Sequence, residues 1–518
     1  MIKEKIAQGY TFLGIELGST RIKSCLIDDS YMPIASGCYE WENKFENGYW
    51  TYSIDEIFKG TKESYASLCK DVLEKYNINL TKMGGIGISG MMHGYLAFDD
   101  EDKLLVPFRT WRNTTTEKAA SELTDLFNFN IPQRWSIAHL YQAILNGEEH
   151  VNRIAHITTL SGYIHYLLTG RWEVGVCEAS GMFPILGNEY NPEMLDKFER
   201  LISKYDLTWN IRDILPKVKV CGEAGAMLIQ SGADFLDISG KLSAGIPVCP
   251  PEGDAGTGMV ATNSVKPKTG NISAGTSVFS MLVLEKQLKG KYEKIDVVTT
   301  PDAFPVAMVH SNNGCSEIDV WVKIFGEFAL MIGAEIDKSK IYKLLYENTL
   351  SGDSDCGGVI SYNFLASEPV AGIKNGFPMY LRMPQSKMNL ANFFRSQLYA
   401  TVAVLKIGMD ILVENENISA DCFNAHGGLF KVKGVAQQIL ANALNTAVSV
   451  SGTSGEGGAW GMALLAAYMI KSENHSLGDW LDAKVFGNIE KTVLLPDPKS
   501  VEGFNSFFEL YKSYAGCS

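Results

Sequence analysis

Apolar and polar residues along this chain repeat one outline twice: two short apolar runs joined by a glycine-hydroxyl turn, then stretches with helical spacing. The first copy is LGIELGSTRIKSCLID, which predicts a strand, a Gly18-Ser19-Thr20 turn and a returning strand. The second is GNISAGTSVFSMLVL, with Gly275-Thr276-Ser277 at its turn. After the first copy, strand-like and turn-like pieces alternate through about residue 55, and 57–75 has apolar positions at helical spacing. Gly85-Ile86-Gly87-Ile88-Ser89 predicts a short buried strand whose end delivers the next residues to a cleft. Residues 115–240 read as mostly helical, including 162–168 and 192–205. A further strand-and-hairpin region begins near Leu242. Long apolar helices are predicted over 390–415 and 434–446, with 457–470 as the last helix of note.

One hairpin with following helices per half is the outline of a duplicated α/β domain. No low-complexity linker separates the halves, so the repeat alone places the boundary, giving domains 1–262 and 263–518. A chain of 518 residues is long enough for two such cores. Apolar residues at 46% and charged residues at 20% fit a soluble globular enzyme, with no apolar segment of the roughly 18 residues a membrane helix needs. The N-terminus lacks an apolar core followed by a small-residue cleavage site, so the expected address is the cytoplasm. Ten cysteines without CxxC pairs read as reduced, mostly buried thiols. A net charge of −13 with no basic patch argues against a nucleic-acid partner.

A glycine-hydroxyl turn between strands can hold phosphate, because glycine admits close approach and the turn's amides and hydroxyls converge as donors. Two of them suggest a nucleotide gripped by two related halves. The Walker A pattern is absent, and the dense Gly84, Gly85, Gly87 and Gly90 do not have the GxGxxG spacing that opens a helix. Asp254 stands about twenty residues ahead of the second turn, in PPEGDAGTGMV, a stretch whose glycines and prolines predict a loop. A carboxylate there can accept the proton of a hydroxyl attacking a γ-phosphate, or it can simply cap the turn.

In these segments the chain resembles the FGGY carbohydrate kinases, within the sugar kinase, heat-shock 70 and actin ATPase superfamily, over nearly its whole length. The resemblance rests on GIELGSTRIK, ISGMMHGYLAFD, PPEGDAGTGMV, SAGTSV, AHGGLFKVKGVAQQILA and GEGGAWGMALLAAY. It implies two ribonuclease-H-like α/β domains with ATP and sugar in a cleft between them, and a transfer of phosphate from ATP, with Mg²⁺, to a sugar hydroxyl. The implied partners are a small sugar and ATP, with no nucleic acid and no membrane; a homodimer is compatible with it.

The resemblance also distributes roles. Asp254 becomes the catalytic base, in reach of substrate and metal. Glu16, where most of the family has Asp, stands at the Mg²⁺ position, touching the ion directly or through water. Gly18, Ser19, Thr20 and Lys23 are phosphate-side groups, with Gly275 and Thr276 as their counterparts, although Lys23 could equally point to solvent. Met92 and His93 line the sugar pocket; Met91 stands where xylulokinase-like relatives carry Gln. Trp111 and Asn113 occupy a Trp-x-Asp position as Trp-x-Asn, and Trp111 reads equally as a core residue. Glu178 lies in a region that approaches the sugar in relatives. Gly427, Gly428 and Lys431, and the loop Gly455–Gly458, belong to the adenosine side.

The pieces WENKF, MMHGYLAFD, PFRTWRN and IPQRWSIAHLYQ are most similar to a lineage of bacterial L-ribulokinases, so L-ribulose is the first-choice pentulose and D-xylulose the second. A non-metabolic ATPase of the Hsp70 or actin kind shares the paired turns. The Asp254 segment and His93 separate it from a sugar kinase, because such an ATPase has no use for a hydroxyl-binding pocket.

Overall fold

A computed structural model describes residues 2–223, 225–453 and 457–515. The chain divides into two compact units. One comprises Met1–Val265, Val297–Val306 and Glu456–Asn488, and the other Lys266–Asp296, Ala307–Gly455 and Ile489–Ser518.

The first unit is built on the predicted hairpin. Phe12–Leu17 and Arg21–Ile27 pair antiparallel, with Glu16 opposite Lys23, and Pro33–Glu40 extends the sheet on the far side of Arg21–Ile27. Gly85–Gly90 joins parallel to Phe12–Leu17, and the two-residue strand Glu252–Gly253 pairs with its end. One face of the sheet is covered by Ile54–Tyr76, which starts at an Ser53 cap and ends at Asn77 in the left-handed region. It approaches closely because Gly37 has no side chain: a Cβ there would sit 2.1 Å from the Ser64 carbonyl oxygen.

Helix Gly457–Lys471 lies against the sheet on a track of small residues. A Cβ on Gly14 would stand 2.1 Å from the Ala459 carbonyl oxygen, and one on Gly87 2.5 Å from Met462 Cε. The same helix packs on Asp254–Ala261 through Gly461, where a Cβ would lie 2.0 Å from the Thr257 carbonyl oxygen. The single cut at residue 262 therefore does not describe this helix, which packs in the first unit although it is distant in sequence. An all-round apolar helix carries no mark of which core it joins.

The second unit repeats the motif. Thr269–Ala274 and Val278–Val283 form the antiparallel hairpin, Cys422–His426 and Ala447–Ser451 add in parallel, and Lys491–Leu494 closes that edge antiparallel. Helix Leu390–Glu416 has the length and composition of a membrane span, but 72% of its most apolar window is buried in the protein, as in a core helix. Among its buried polar side chains, Arg395 donates to the carbonyls of Thr349 and Gly352, and the Gln397 amide donates to the Ser361 hydroxyl while its Oε1 has no partner. The pattern reading also passed over the terminal helix Pro498–Ala515. Nine described cysteines are free thiols, with Cys38 exposed.

Gly461→Ala forces a methyl group against the Thr257 carbonyl. The expected cost is about 1–3 kcal/mol, read as a lower thermal midpoint for the first unit; an unchanged midpoint would show that the two helices are not in contact there.

Candidate functional site

The first turn is held from outside by two aromatic side chains. The Trp41 indole N–H donates to the Gly18 carbonyl at 2.7 Å, and the Tyr52 hydroxyl donates to the Ser19 carbonyl at 2.5 Å. Their rings stack with centroids 4.1 Å apart, fixing both donors together. Nothing in the sequence pattern singled out Trp41 or Tyr52 for this task. The turn opens onto a groove of about 930 Å³ lined by Glu16, Gly18, Ser19, Thr20, Arg21, Lys23, Lys44 and Asp254, among others. Lys23 thus faces the groove, beside its cross-strand neighbour Glu16, rather than bulk solvent.

Asp254 enters the groove from an element other than the predicted loop. It is the first residue of the helix Asp254–Ala261, directly after the strand Glu252–Gly253 that pairs with the end of Gly85–Gly90. The helix is short and glycine-rich, which is why the sequence read as loop. The Met92 N–H donates to Asp254 Oδ1 at 3.4 Å, tying the acid to the segment after Gly85–Gly90. Burial, and after it the charge of Glu16, push the Asp254 carboxyl up to about 7, against the backbone amides at the helix start.

Glu16 is pushed up by burial and pulled down by Lys23 and by the Ala459 N–H at the start of Gly457–Lys471. A Cβ on Gly458 would lie 2.4 Å from Glu16 Oε1, so that glycine is required for the carboxylate to reach the helix start. The predicted loop Gly455–Gly458 is described only from Gly457 onward; Gly455 and Glu456 lie outside the described residues. Its described end serves Glu16.

Two half-buried carboxylates acting on each other suit a divalent cation. Among the described residues no group of three or more His, Cys, Asp or Glu side chains converges as a metal site. Mg²⁺ needs only one or two carboxylates, with water and phosphate supplying the rest, so Glu16 and Asp254 fit it.

Behind Asp254 lie His93 and Glu178. His93 is buried, with backbone in the left-handed region at φ 71°, and its Nδ1–H donates to the Gly181 carbonyl at 3.2 Å. Burial, and then Arg134, hold the imidazole well below its usual range, so it is neutral. Glu178 is fully buried, and neither carboxyl oxygen has a partner in hydrogen-bonding geometry. Burial, and more weakly the charge of Asp254, push its carboxyl up to about 8, against the pull of the Thr159 and Ser161 hydroxyls. Gly253 brings the pieces together: a Cβ there would lie 2.2 Å from Met92 Cγ and 2.6 Å from Glu178 Oε2. Glu252, which the sequence reading passed over, accepts the Glu178 N–H at 3.1 Å and so fastens the Glu178 segment to the strand leading into Asp254.

Asn113 is engaged with backbone. Its Oδ1 accepts the Trp50 N–H at 2.8 Å and its amide donates to the Trp50 carbonyl at 2.9 Å, clamping the hairpin Lys44–Glu46 and Tyr49–Thr51. A carboxylate could accept but not donate, which explains the amide at this position. Arg112 stacks over the Trp50 ring, with its guanidinium carbon 3.9 Å from the centroid. Trp111 is 37% exposed, so it is no core residue.

The second unit is described on its own. The Gly275 and Thr276 carbonyls accept the N–H groups of Cys315 and Gly314 at 2.8 and 2.7 Å, a backbone brace where the first turn has side chains. Gly427, at φ 108°, comes within 2.4 Å of the Ala274 carbonyl measured from a would-be Cβ, which places it beside this turn; Gly428 and Lys431 follow in a 3₁₀ turn, both exposed.

Comparison with known proteins adds to this geometry. The family model for the N-terminal domain of the FGGY family of carbohydrate kinases matches residues 11–261, and that for the C-terminal domain matches 270–470. A xylulose kinase of Lactococcus lactis is 23% identical over 254 residues, 43% of this chain and 47% of that protein, so the chain spans about half the length of this relative. A xylulose kinase of Haemophilus influenzae is 22% identical over 386 residues, 72% of each chain. Among solved structures, the ligand-bound xylulose kinase from Lactobacillus acidophilus superposes with a TM-score of 0.78 at 16% identity, covering 98% of both chains. The fold is therefore the two-domain α/β fold of the actin and hexokinase-like ATPases.

Glu178 provides a test of the buried acid cluster. In the folded chain it keeps its proton up to about 8, whereas an unfolded glutamate loses it near 4.3. Stability is thus lost as pH rises between those values, by up to about 1.4 kcal/mol per pH unit. Glu178→Gln does not titrate, so its melting temperature relative to the unaltered chain should climb from pH 5 to pH 8. A difference independent of pH would mean that Glu178 is ionised throughout.

Proposed function

The chain belongs to the FGGY family of carbohydrate kinases, and from that premise we propose that it transfers the γ-phosphoryl group of MgATP to a terminal hydroxyl of a pentulose, with L-ribulose the preferred acceptor. The observation that carries the reading is Asp254, half-buried beside Glu16 in the groove under the Gly18-Ser19-Thr20 turn. The matching families are carbohydrate kinases, which replaces the reading as a chaperone-like or filament-forming ATPase.

In the proposed reaction Asp254 accepts the proton of the sugar hydroxyl as that oxygen bonds to the γ-phosphorus, while the bond to the β-phosphate bridging oxygen breaks and ADP leaves. Lys23, Ser19 and Thr20 orient the transferring group by charge-assisted hydrogen bonds. Glu16 and Asp254 would hold Mg²⁺, which supplies charge neutralisation on the phosphate oxygens. His93 Nε2, left free as an acceptor in the neutral ring, and the protonated Glu178 offer one acceptor and one donor to sugar hydroxyls. The order of WENKF, MMHGYLAFD, PFRTWRN and IPQRWSIAHLYQ supports L-ribulose. D-xylulose is the second reading, favoured because the relatives named above are xylulose kinases.

A coupled ADP-release assay with L-ribulose, D-xylulose, D-ribulose, L-xylulose and glycerol, with and without Mg²⁺, decides among these. L-ribulose should give the highest kcat/KM, a higher value for D-xylulose would reverse the order, and no sugar above background would sink the kinase reading. Asp254→Asn should cost about 100- to 10,000-fold in kcat while ATP still binds; substantial residual turnover would move the base elsewhere.

The pH profile gives an independent check. Asp254 is a base only when deprotonated, so kcat/KM should fall below an apparent pKa of about 7. Glu16→Gln removes the neighbouring charge that helps hold the proton, and should move that limb to lower pH. A limb unmoved by the substitution would place the titrating group elsewhere.

A further inference from the structure

The brace on the second turn is made of backbone, and backbone holds a neighbour only where it is itself held. Gly314 and Cys315 donate to the Thr276 and Gly275 carbonyls from the short segment between the strand Pro305–Ser311 and helix Ser316–Met331. The contact is tight: a Cβ on Gly314 would lie 2.7 Å from the Thr276 carbonyl oxygen. What fixes that segment is a side chain from elsewhere in the second unit. Glu368 is fully buried, and its Oε2 accepts from the Ser311 hydroxyl at 2.8 Å, the Asn313 N–H at 3.2 Å and the Asn313 side-chain amide at 2.9 Å. Hydrogen bonds to a carboxylate are roughly twice as strong as neutral ones.

Burying a carboxylate is costly unless the donors it gathers offset the lost water, and Glu368 Oε1 has no partner in hydrogen-bonding geometry. Burial pushes the carboxyl up, and the Asn313 and Ser311 donors pull it back. The acceptor is also rigidly placed. Glu368 exchanges backbone hydrogen bonds with Ile373 at 2.7 and 2.9 Å, closing a tight loop whose Val370 and Ala371 are buried in the core. Ala366 completes the grip: its N–H donates to Asn313 Oδ1 at 2.8 Å, and its carbonyl accepts from Asn313 Nδ2 at 3.2 Å. On the backbone side, the Asn363 amide donates to the carbonyls of Asn313 and Gly314, both at 3.0 Å. Asn313 is thus held at backbone and side chain alike, and the residue that follows it is the first donor of the brace.

We propose that Glu368 is a positioning residue for the second turn: through Asn313 it sets where the Gly314 and Cys315 N–H groups stand, and so the shape that Gly275-Thr276-Ser277 presents to a phosphate. Its consequence for nucleotide binding rests on the kinase reading given above. Amide exchange of the ligand-free chain tests the positioning without that reading. Exchange at Gly314 and Cys315 should be about tenfold faster or more in Glu368→Ala, and likewise in Asn313→Ala, at the other end of the contact. The Kd for ATP, measured by calorimetry, should rise by a similar factor in both variants while the KM for the sugar stays unchanged. Glu368→Gln keeps an acceptor for the same donors and should recover most of both losses. Asn392→Ala breaks buried hydrogen bonds to Asp353 and Lys387 in the same unit, so it should lower the melting temperature while leaving exchange at 314–315 and ATP affinity as they were. Exchange at Gly314 and Cys315 unmoved by Glu368→Ala and Asn313→Ala, or moved equally by Asn392→Ala, would overturn the assignment. Faster exchange with ATP affinity unchanged would uphold the positioning and sink the reading of this turn as a phosphate holder.

Discussion

The site rests on how closely helix Gly457–Lys471 can lie against its neighbours. Three glycines set that distance: Gly14 under the helix, Gly458 at its start and Gly461 against Asp254–Ala261. With a side chain at any of them, the helix start would leave Glu16 or the Asp254 helix would shift. The close approach places two carboxylates at two helix N-termini, where amides favour the anions. Burial and mutual repulsion oppose this. For Asp254 they win, since its carboxyl settles at about 7 rather than near 3.8.

That imbalance is useful chemically. A carboxylate at its ordinary pKa is a weak base, whereas one near neutrality is matched to taking a proton at physiological pH. The acids behind it keep the region in the same state. Glu252 and Glu178 are both raised, chiefly by burial, so they sit there as neutral acids and do not add further negative charge beside Asp254. Glu252 also fastens the Glu178 segment through the Glu178 N–H, which makes it a positioning residue for the whole pocket wall.

Short-range pattern was legible in the sequence, and long-range partnership was not. Both hairpins, the Gly85–Gly90 strand and the helices at 54–76 and 390–416 follow from spacing and turn residues within a few positions. The destination of Gly457–Lys471 did not, because small apolar residues suit any close contact and their partners Gly14 and Gly87 lie hundreds of residues away. Asp254–Ala261 was hidden by its glycines, which lower helix propensity yet are what the packing at Gly256 demands: a Cβ there would meet Cys177 Sγ at 2.7 Å. Asp254, Glu16 and the turns stood out because their chemistry is local. Trp41, Tyr52 and Asn113 act by holding backbone in other segments, and such a role leaves no spacing to read.

The two turns are alike in topology and unlike in support. The first is fixed by the side chains of Trp41 and Tyr52, the second by backbone N–H groups of Gly314 and Cys315, which lead directly into helix Ser316–Met331. A Cβ on Gly314 would fall 2.3 Å from the Gly275 carbonyl, so this brace tolerates almost no displacement. The helix therefore anchors the second turn at its start. In the first unit the bracing pair Trp41 and Tyr52 is buried and stacked ring on ring. The repeat thus conserves the turn while bracing its two copies by different groups, side chains in the first and backbone in the second.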